Sequence, residues 1–477
     1  LYSRILAIIL LAGAQLLAFQ PPAPGLPPGP PKGKPPASRH GKRPGPPREP
    51  VVYGEPGKDY SETVAAGITL RQHGFKRDGL PFTLQVLEVD PANPAINILP
   101  VHALDRATGR ETTSSMARRY GATAAVNGGY FFMHDPLEGG STGVYQLNGR
   151  VLSSGDSRTA LLFCKETGDR ELTAISTAAF RGTVTTEKGA SHALVALNQI
   201  GKRGELVAYA AGPQSPSTEK PAFEVTLDKD GRVSSAKKVK GGTAIPTDGI
   251  VLSATGASAK WLRKNARPGA TLRVELNLEP ESASAKACQP VDIVGAGPRL
   301  ITDGKINVTE EGFDHALTRH PRTGFAVTRE GHFLFVTLDG RQSASAGMTL
   351  AEWAGELLSM GAVEAFNLDG GGSTTLVVND KVRNTPSDRN KEERVVSDAI
   401  LIYSIADLDA FSALVDKLAV GQIAAAPAAR LREGIAAARH SKAEFTALAK
   451  LVSESEGNGI SAPAARLLSE AIRALAR

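Results

Sequence analysis

The stretch Thr349-Leu-Ala-Glu352-Trp353-Ala-Gly-Glu-Leu-Leu-Ser-Met-Gly361-Ala-Val363-Glu-Ala-Phe-Asn367-Leu-Asp369-Gly-Gly-Gly-Ser373-Thr-Thr375 carries the clearest structural signal in the chain. Thr349 with Glu352 three residues on forms a capping box, and Gly361 is placed to end the helix it starts. Leu350, Trp353, Ala354, Leu357 and Leu358 follow the spacing of one buried face, so 349–361 predicts a helix packed on a sheet. The chain then enters a strand at Val363. Alternate side chains share a face of a strand, so Asn367 and Asp369 emerge together at its end, where three glycines leave the backbone bare. Such glycines can turn their N–H groups toward an anion.

Outward from this unit, Thr83–Val89, Ala124–Asn127, Thr271–Leu278 and His332–Leu338 read as further short strands between turn signals. Few helices are long enough to cover a fully parallel sheet. The fold class expected is α+β, with a large mixed or antiparallel sheet and packed helices over 60–404. After Ser404 the composition turns Ala-rich, and three apolar stripes predict three helices in a small C-terminal all-α module over 405–477: Phe411/Leu414/Val415/Leu418, Phe445/Leu448/Ala449/Val452 and Leu468/Ala471/Ile472/Leu475.

At the other end, Arg4 precedes an apolar run from Ile5 to Phe19, which reads as a signal peptide over 1–20 and is too short for a stable transmembrane span. Residues 21–59 then form a Pro-rich basic linker, with 13 of the 31 prolines between Pro21 and Pro50. This segment has little apolar side chain to bury and should be extended. Residues 21–58 contribute five of the six formal positive charges, so the remainder is nearly balanced and presents no nucleic-acid face. A secreted or periplasmic location follows from this reading, with cell-wall association through the linker or the helical tail. In such a compartment Cys164 and Cys288 either pair or remain buried thiols.

Four segments stand apart chemically: Asn127-Gly128-Gly129-Tyr130-Phe131, Pro321-Arg322-Thr323-Gly324, Asp339-Gly340-Arg341 and Asn367-Leu368-Asp369-Gly370-Gly371-Gly372-Ser373-Thr374. The last is no P-loop, since no Lys precedes Ser373, and no nucleophile elbow, since Thr375 replaces the final glycine. A carboxylate beside bare amides repels a phosphate unless a cation is present, which makes Arg322 and Arg341 natural companions. Asp339 also ends an apolar strand, so two aspartates at strand ends suggest the paired carboxylates of glycoside hydrolysis. His315 and His320 flank Arg319 without the spacing of a zinc site, and His320 is the better pocket candidate.

Taken together, the four segments resemble the phosphodiester glycosidase family over roughly 120–403. That resemblance implies hydrolysis of a sugar-1-phosphodiester at the glycosidic bond, releasing free sugar and a phosphate monoester. It implies Asp369 as the carboxylate beside the sugar with Asp339 second, and phosphate held by Arg322 and the backbone of Gly370, Gly371, Gly372 and Ser373. Asn127 and Asn367 would orient hydroxyls, with Gly128, Gly129, His320, Thr323, Arg341 and Thr374 completing the substrate contacts. The chain departs from the family at Arg322-Thr323-Gly324-Phe325-Ala326, where the glycine is moved, and in a long insert between about Glu166 and Gly249.

The expected substrate is a glycan or sugar phosphate. No cofactor is expected, and a bound divalent cation such as Ca²⁺ or Mg²⁺ is left open. The alternative is a non-catalytic cell-wall or glycan-binding protein on the same fold. A phosphodiesterase cleaving the P–O bond would call for a cluster of carboxylates and histidines around metal, which the sequence does not display.

Overall fold

The capped helix forms at Leu350–Ser359, with both halves of the Thr349/Glu352 box in place. The computed structural model describes residues 51–134, 136–155, 159–164, 173–308, 314–441 and 443–476. The expected signal peptide and most of the expected linker lie outside these residues. The C-terminal end of that linker does not stay free of the sheet: Gly54 N–H donates to Ser343 O and Gly57 N–H to the Thr83 hydroxyl.

Trp353, Leu357 and Leu350 are buried with Ala326, Ala365 and Leu300 on one face of an eight-stranded sheet. Each such large apolar side chain contributes roughly 2–3 kcal/mol of burial. The strand order is Tyr60–Ala65, Ile68–Arg77, Leu80–Val89, Phe333–Leu338, Arg322–Thr328, Ala362–Asn367, Arg299–Thr302, Lys305–Ile306, antiparallel at every step. The opposite face carries Phe325, Phe335, Phe366 and Leu368. It packs on a five-stranded antiparallel sheet ordered Lys381–Val382, Leu376–Val378, Ala124–Asn127, Asp398–Ser404, Ile96–His102.

Two further sheets hold most of the insert. One is built on the 14-residue strand Thr173–Thr186, the other on Ile250–Ala254, and both feed one apolar cluster around Leu162, Leu206, Val225 and Leu252. The fold is therefore α+β, with its sheet area divided among four sheets. Among the strand pairs of the described residues, the one parallel step is Ala196–Leu197 on Leu206–Tyr209. Cys164 is disulfide-bonded.

The C-terminal segment contains four helices rather than three: Leu408–Leu418, Ala425–Ala438, Glu444–Ser455 and Ala462–Ala476. The helix missing from the sequence reading buries only Ala428, Leu431, Ile435 and Ala438, a stripe too weak to stand out in an Ala-rich stretch. Nor do the four close a core among themselves. Phe411, Leu431, Val452 and Leu468 share one cluster with Leu99, Val101, Tyr120, Leu401 and Tyr403 of the five-stranded sheet and its neighbours. Arg466 also pairs with the buried Asp292 at 2.5 Å, fastening the last helix to strand Pro290–Gly295.

Candidate functional site

Strand Ala362–Asn367 lies beside Arg322–Thr328, with Asn367 opposite Gly324. Beyond it the chain crosses to the five-stranded sheet, so residues 369–375 run along the seam between the two sheets. Strand Ala124–Asn127 enters the same seam from the other side. Asn127 is fully buried and joins the parts: its Nδ2 donates to Asp369 O at 2.7 Å, while its Oδ1 accepts from Thr323 Oγ1 at 2.9 Å and Thr375 N at 3.0 Å.

A cavity of about 420 Å³ opens here, lined by Tyr130, His315, His320, Arg322, Arg341, Asn367, Asp369, Gly370, Gly371, Gly372 and Arg394. Eight of the residues expected from the sequence thus converge on one hollow. Three guanidinium groups surround it. Arg322 is only 3% exposed, and its Nε donates to Met348 O while Nη2 donates to His315 O and Thr318 O, which fixes its plane. Burial, helped by the neighbouring Arg341 charge, pushes its pKa down to about 10, so it stays protonated at neutral pH.

Arg341 Nη2 donates to His320 Nδ1 at 2.6 Å. Because a guanidinium has only donors, this bond makes Nδ1 the acceptor and leaves the proton of the neutral ring on Nε2. Arg394 forms a two-point pair with Asp388, at 2.8 Å on both arms, and its Nη1 reaches Ser373 Oγ at 3.4 Å. A Cβ at Gly372 would lie 2.1 Å from Arg394 Nη2 and Asp388 Oδ1, so the third glycine makes room for this pair.

Asp369 is the one carboxylate among the lining residues. Burial pushes its pKa up to about 6 against the opposing pull of the Ser373 hydroxyl and the Arg394 charge, and the Asp398 charge adds to the rise. Asn367 donates from Nδ2 to Tyr130 Oη at 2.9 Å and to Gly297 O at 3.2 Å, while its buried Oδ1 has no protein partner. The cavity wall therefore offers an unmet acceptor beside a cationic pocket, a combination suited to a ligand bearing both hydroxyls and negative charge.

Several expected residues lie elsewhere. Asp339 does not line the cavity. It is 3% exposed and accepts from Thr385 N at 2.9 Å, tying the 384–385 segment to the end of strand Phe333–Leu338. The expectation of Asp339 as the partner carboxylate is corrected accordingly: a strand-end aspartate was placed in the chemistry when it serves as an internal tie. Gly128 and Gly129 are also packing positions, since Cβ atoms there would meet the Asp398 carboxyl at 2.7 Å and Gly295 O at 2.2 Å. Thr323 and Thr374 are buried beneath the cavity wall, and Ser373 stands between Arg394 and Asp369. The glycine run is a tight turn more than an anion nest, because Gly371, Ser373 and Thr374 donate their N–H groups to Pro321, Gly370 and Gly371 carbonyls.

Three contributors were missed. Tyr130 stood inside a quoted segment without a role, and Arg394 was lost in the charged run 388–394. Asp398 carried the same signal as Asp369, an acid bounding an apolar strand. It is 1% exposed, accepts Gly129 N–H through both oxygens at 3.1 and 3.3 Å, and burial pushes it up to about 6. Among the described residues no cluster of three His, Cys, Asp or Glu side chains is arranged to hold a metal ion.

Comparison with known proteins supports the family resemblance. A family model described as phosphodiester glycosidase matches residues 223–403, a span that takes in Arg322, Arg341, Asp369 and Arg394 but not Asn127. The chain is 36% identical over 91 residues to an uncharacterized SPbeta prophage-derived protein of Bacillus subtilis. It is 42% identical over 67 residues to the N-acetylglucosamine-1-phosphodiester alpha-N-acetylglucosaminidase of Bos taurus. These stretches are 19% and 14% of this chain and only 14% and 12% of the relatives' own lengths. Among solved structures, a hypothetical protein from Synechocystis aligns with a TM-score of 0.62 at 25% identity, over 73% of this chain and 64% of that one. A Burkholderia pseudomallei K96243 protein named as exported aligns with a TM-score of 0.59 at 26% identity, over 68% and 74% of the two chains.

Proposed function

We propose that this protein is an exported hydrolase that cleaves the glycosidic C–O bond of sugar-1-phosphodiesters, releasing free sugar and a phosphate monoester. The observation that carries the proposal is the convergence of Arg322, Arg341 and Arg394 around a hollow whose only lining carboxylate is Asp369. Arginine suits a phosphate because its planar fork donates to two oxygens at once. A phosphate held this way is already a weak base and a good leaving group, so a strong general acid opposite the carboxylate is unnecessary. This explains why one carboxylate suffices where ordinary glycosidases use two.

In this reading Arg322 and Arg341 hold the diester while Asp369, ionised above about pH 6, stabilises the positive charge that develops at the sugar carbon. Asn367 Oδ1 is placed for a sugar hydroxyl. Export is supported by the apolar run before the Pro-rich segment, by the disulfide at Cys164 and by the likeness to a protein named as exported. Wall association through the Pro-rich segment belongs to the same proposal, with no cofactor in the reaction.

The test is hydrolysis of a uridine diphosphate sugar or a methyl sugar-1-phosphate in ¹⁸O-labelled water. Label in the sugar product is expected, together with loss of turnover in folded Asp369→Asn. Label in the phosphate product, or undiminished turnover in that variant, overturns the mechanism. Saturable retention without product would favour the glycan-binding alternative.

A further inference from the structure

A second hollow, larger than the one with the catalytic candidates, lies apart from it. A cavity of about 1170 Å³ lies between the 101–110 segment, the hairpin of Val144–Leu147 and Arg150–Ser154, the turn at 210–213 and the C-terminal helical segment near Glu456 and Pro463. Its size is somewhat above the range of about 300–1,000 Å³ usual for ligand sites. The interior is aliphatic, with Leu104, Leu147, Leu152 and Pro213 among its walls, and its one aromatic residue, Tyr120, is fully buried. No ring is presented on which a sugar can stack.

The rim is charged unevenly. Asp105 is occupied by Arg119, Tyr120 Oη at 2.7 Å and Gln422 Nε2 at 3.1 Å, and Glu138 by Arg110. Arg106 and Arg150 are exposed and have no ion-pair partner among the described residues, against the single carboxylate of Glu456. Leu104, 50% exposed, is held at the edge with φ 56°, next to Asp105 at φ 54°. Consecutive non-glycine residues in this conformation are costly and persist only where surrounding bonds impose them. Here the bonds to Asp105 and the bond from Leu104 N–H to Glu111 hold them, and Leu104 stays half exposed at the cavity.

We infer that this cavity binds an amphiphilic anion, with an aliphatic tail against Leu104, Leu147, Leu152 and Pro213 and a phosphate or carboxylate head at Arg106 and Arg150. The inference is independent of the proposed reaction, because it uses none of the residues around Asp369. The head group could belong to a free amphiphile or to a membrane lipid, and the two are separable by experiment.

The test is calorimetric titration of the full chain with octyl phosphate below its micelle concentration, with inorganic phosphate and octanol as separate probes. Arg341→Ala removes the phosphate contact of the smaller cavity. Octyl phosphate binding that survives in Arg341→Ala, and weakens at least tenfold in Arg106→Ala/Arg150→Ala, is the expected result. Leu104→Glu, at an exposed position, is expected to weaken octyl phosphate without changing inorganic phosphate. Sedimentation with phosphatidic acid vesicles identifies the source: binding that octyl phosphate competes away means a membrane lipid, and no binding means a free amphiphile. Octyl phosphate binding that disappears in Arg341→Ala, or that ignores Arg106, Arg150 and Leu104, overturns the inference.

Discussion

Replacing Asp339 by Asn separates a structural tie from a catalytic acid. Burial pushes the Asp339 carboxyl up to about 7 from an ordinary 3.8. The difference is roughly 3 units, and each unit is worth about 1.4 kcal/mol. A native state that holds the proton more tightly than the unfolded chain loses stability as pH rises, so between about pH 4 and pH 7 the ionising side chain costs about 4 kcal/mol. Asparagine carries no charge to desolvate and keeps an oxygen for the Thr385 N–H. Its amide hydrogens, however, face the donors of Gln85, Asn384 and Thr385, at a cost of about 1–2 kcal/mol. Asp339→Asn should therefore be more stable than the parent by about 2 kcal/mol at pH 8 and less stable by about 1–2 kcal/mol at pH 4. Thermal unfolding of both proteins at the two pH values reads the crossing, and turnover at pH 6 should change by no more than a few-fold. Lower stability at pH 8, or a thousandfold loss of turnover in a folded variant, would return Asp339 to the chemistry and refute the argument.

Activity should rise with pH through about 6 as Asp369 ionises; Asp398→Asn removes a charge that opposes this, so the acid limb of kcat/KM should move to lower pH, and an unmoved limb would deny the coupling. Gly372→Ala places a methyl group against the Arg394–Asp388 pair and should cost about 1–3 kcal/mol of stability with at least a tenfold fall in turnover, read by thermal unfolding and initial rates. Arg466→Ala leaves Asp292 buried without its counter-charge and should destabilise by about 3–5 kcal/mol in denaturant titration, with partial recovery when Asp292→Asn is added. A chain truncated after Ser404 should expose Leu99, Val101 and Tyr403 and be insoluble or molten; a well-folded truncated protein would show the helices to be dispensable.

What could be read from the sequence was local. The box at Thr349/Glu352, the Trp353 stripe and the strand carrying Asn367 are written within 27 consecutive residues, each enforced by a short-range rule, and all appear in the structure. That Asp369 and Arg322 line one cavity was foreshadowed by a charged residue bounding an apolar strand in each case, with a glycine run beside Asp369. Asp339 satisfied the same pattern and has a different job. Only the distance to Thr385, 46 residues away, distinguishes a tie from a reactant. Arg394 was illegible for the opposite reason, since a charged run looks solvated until Gly372 brings the turn against it. Residues 425–438 show the limit of periodicity in an Ala-rich segment, where the buried and exposed faces differ little in hydrophobicity.

The bond from Asn127 to Asp369 joins parts of the chain that are made far apart in time. At ~5–20 residues per second, the nascent strand ending at Asn127 waits roughly 10–50 s for Asp369 to be polymerised. Until Asp369 and Thr375 emerge its hydrogen-bond partners do not exist, and closing such distant pairs is intrinsically slow. A nascent chain that ends short of Arg394 accordingly lacks part of the cavity wall, however complete its earlier strands are.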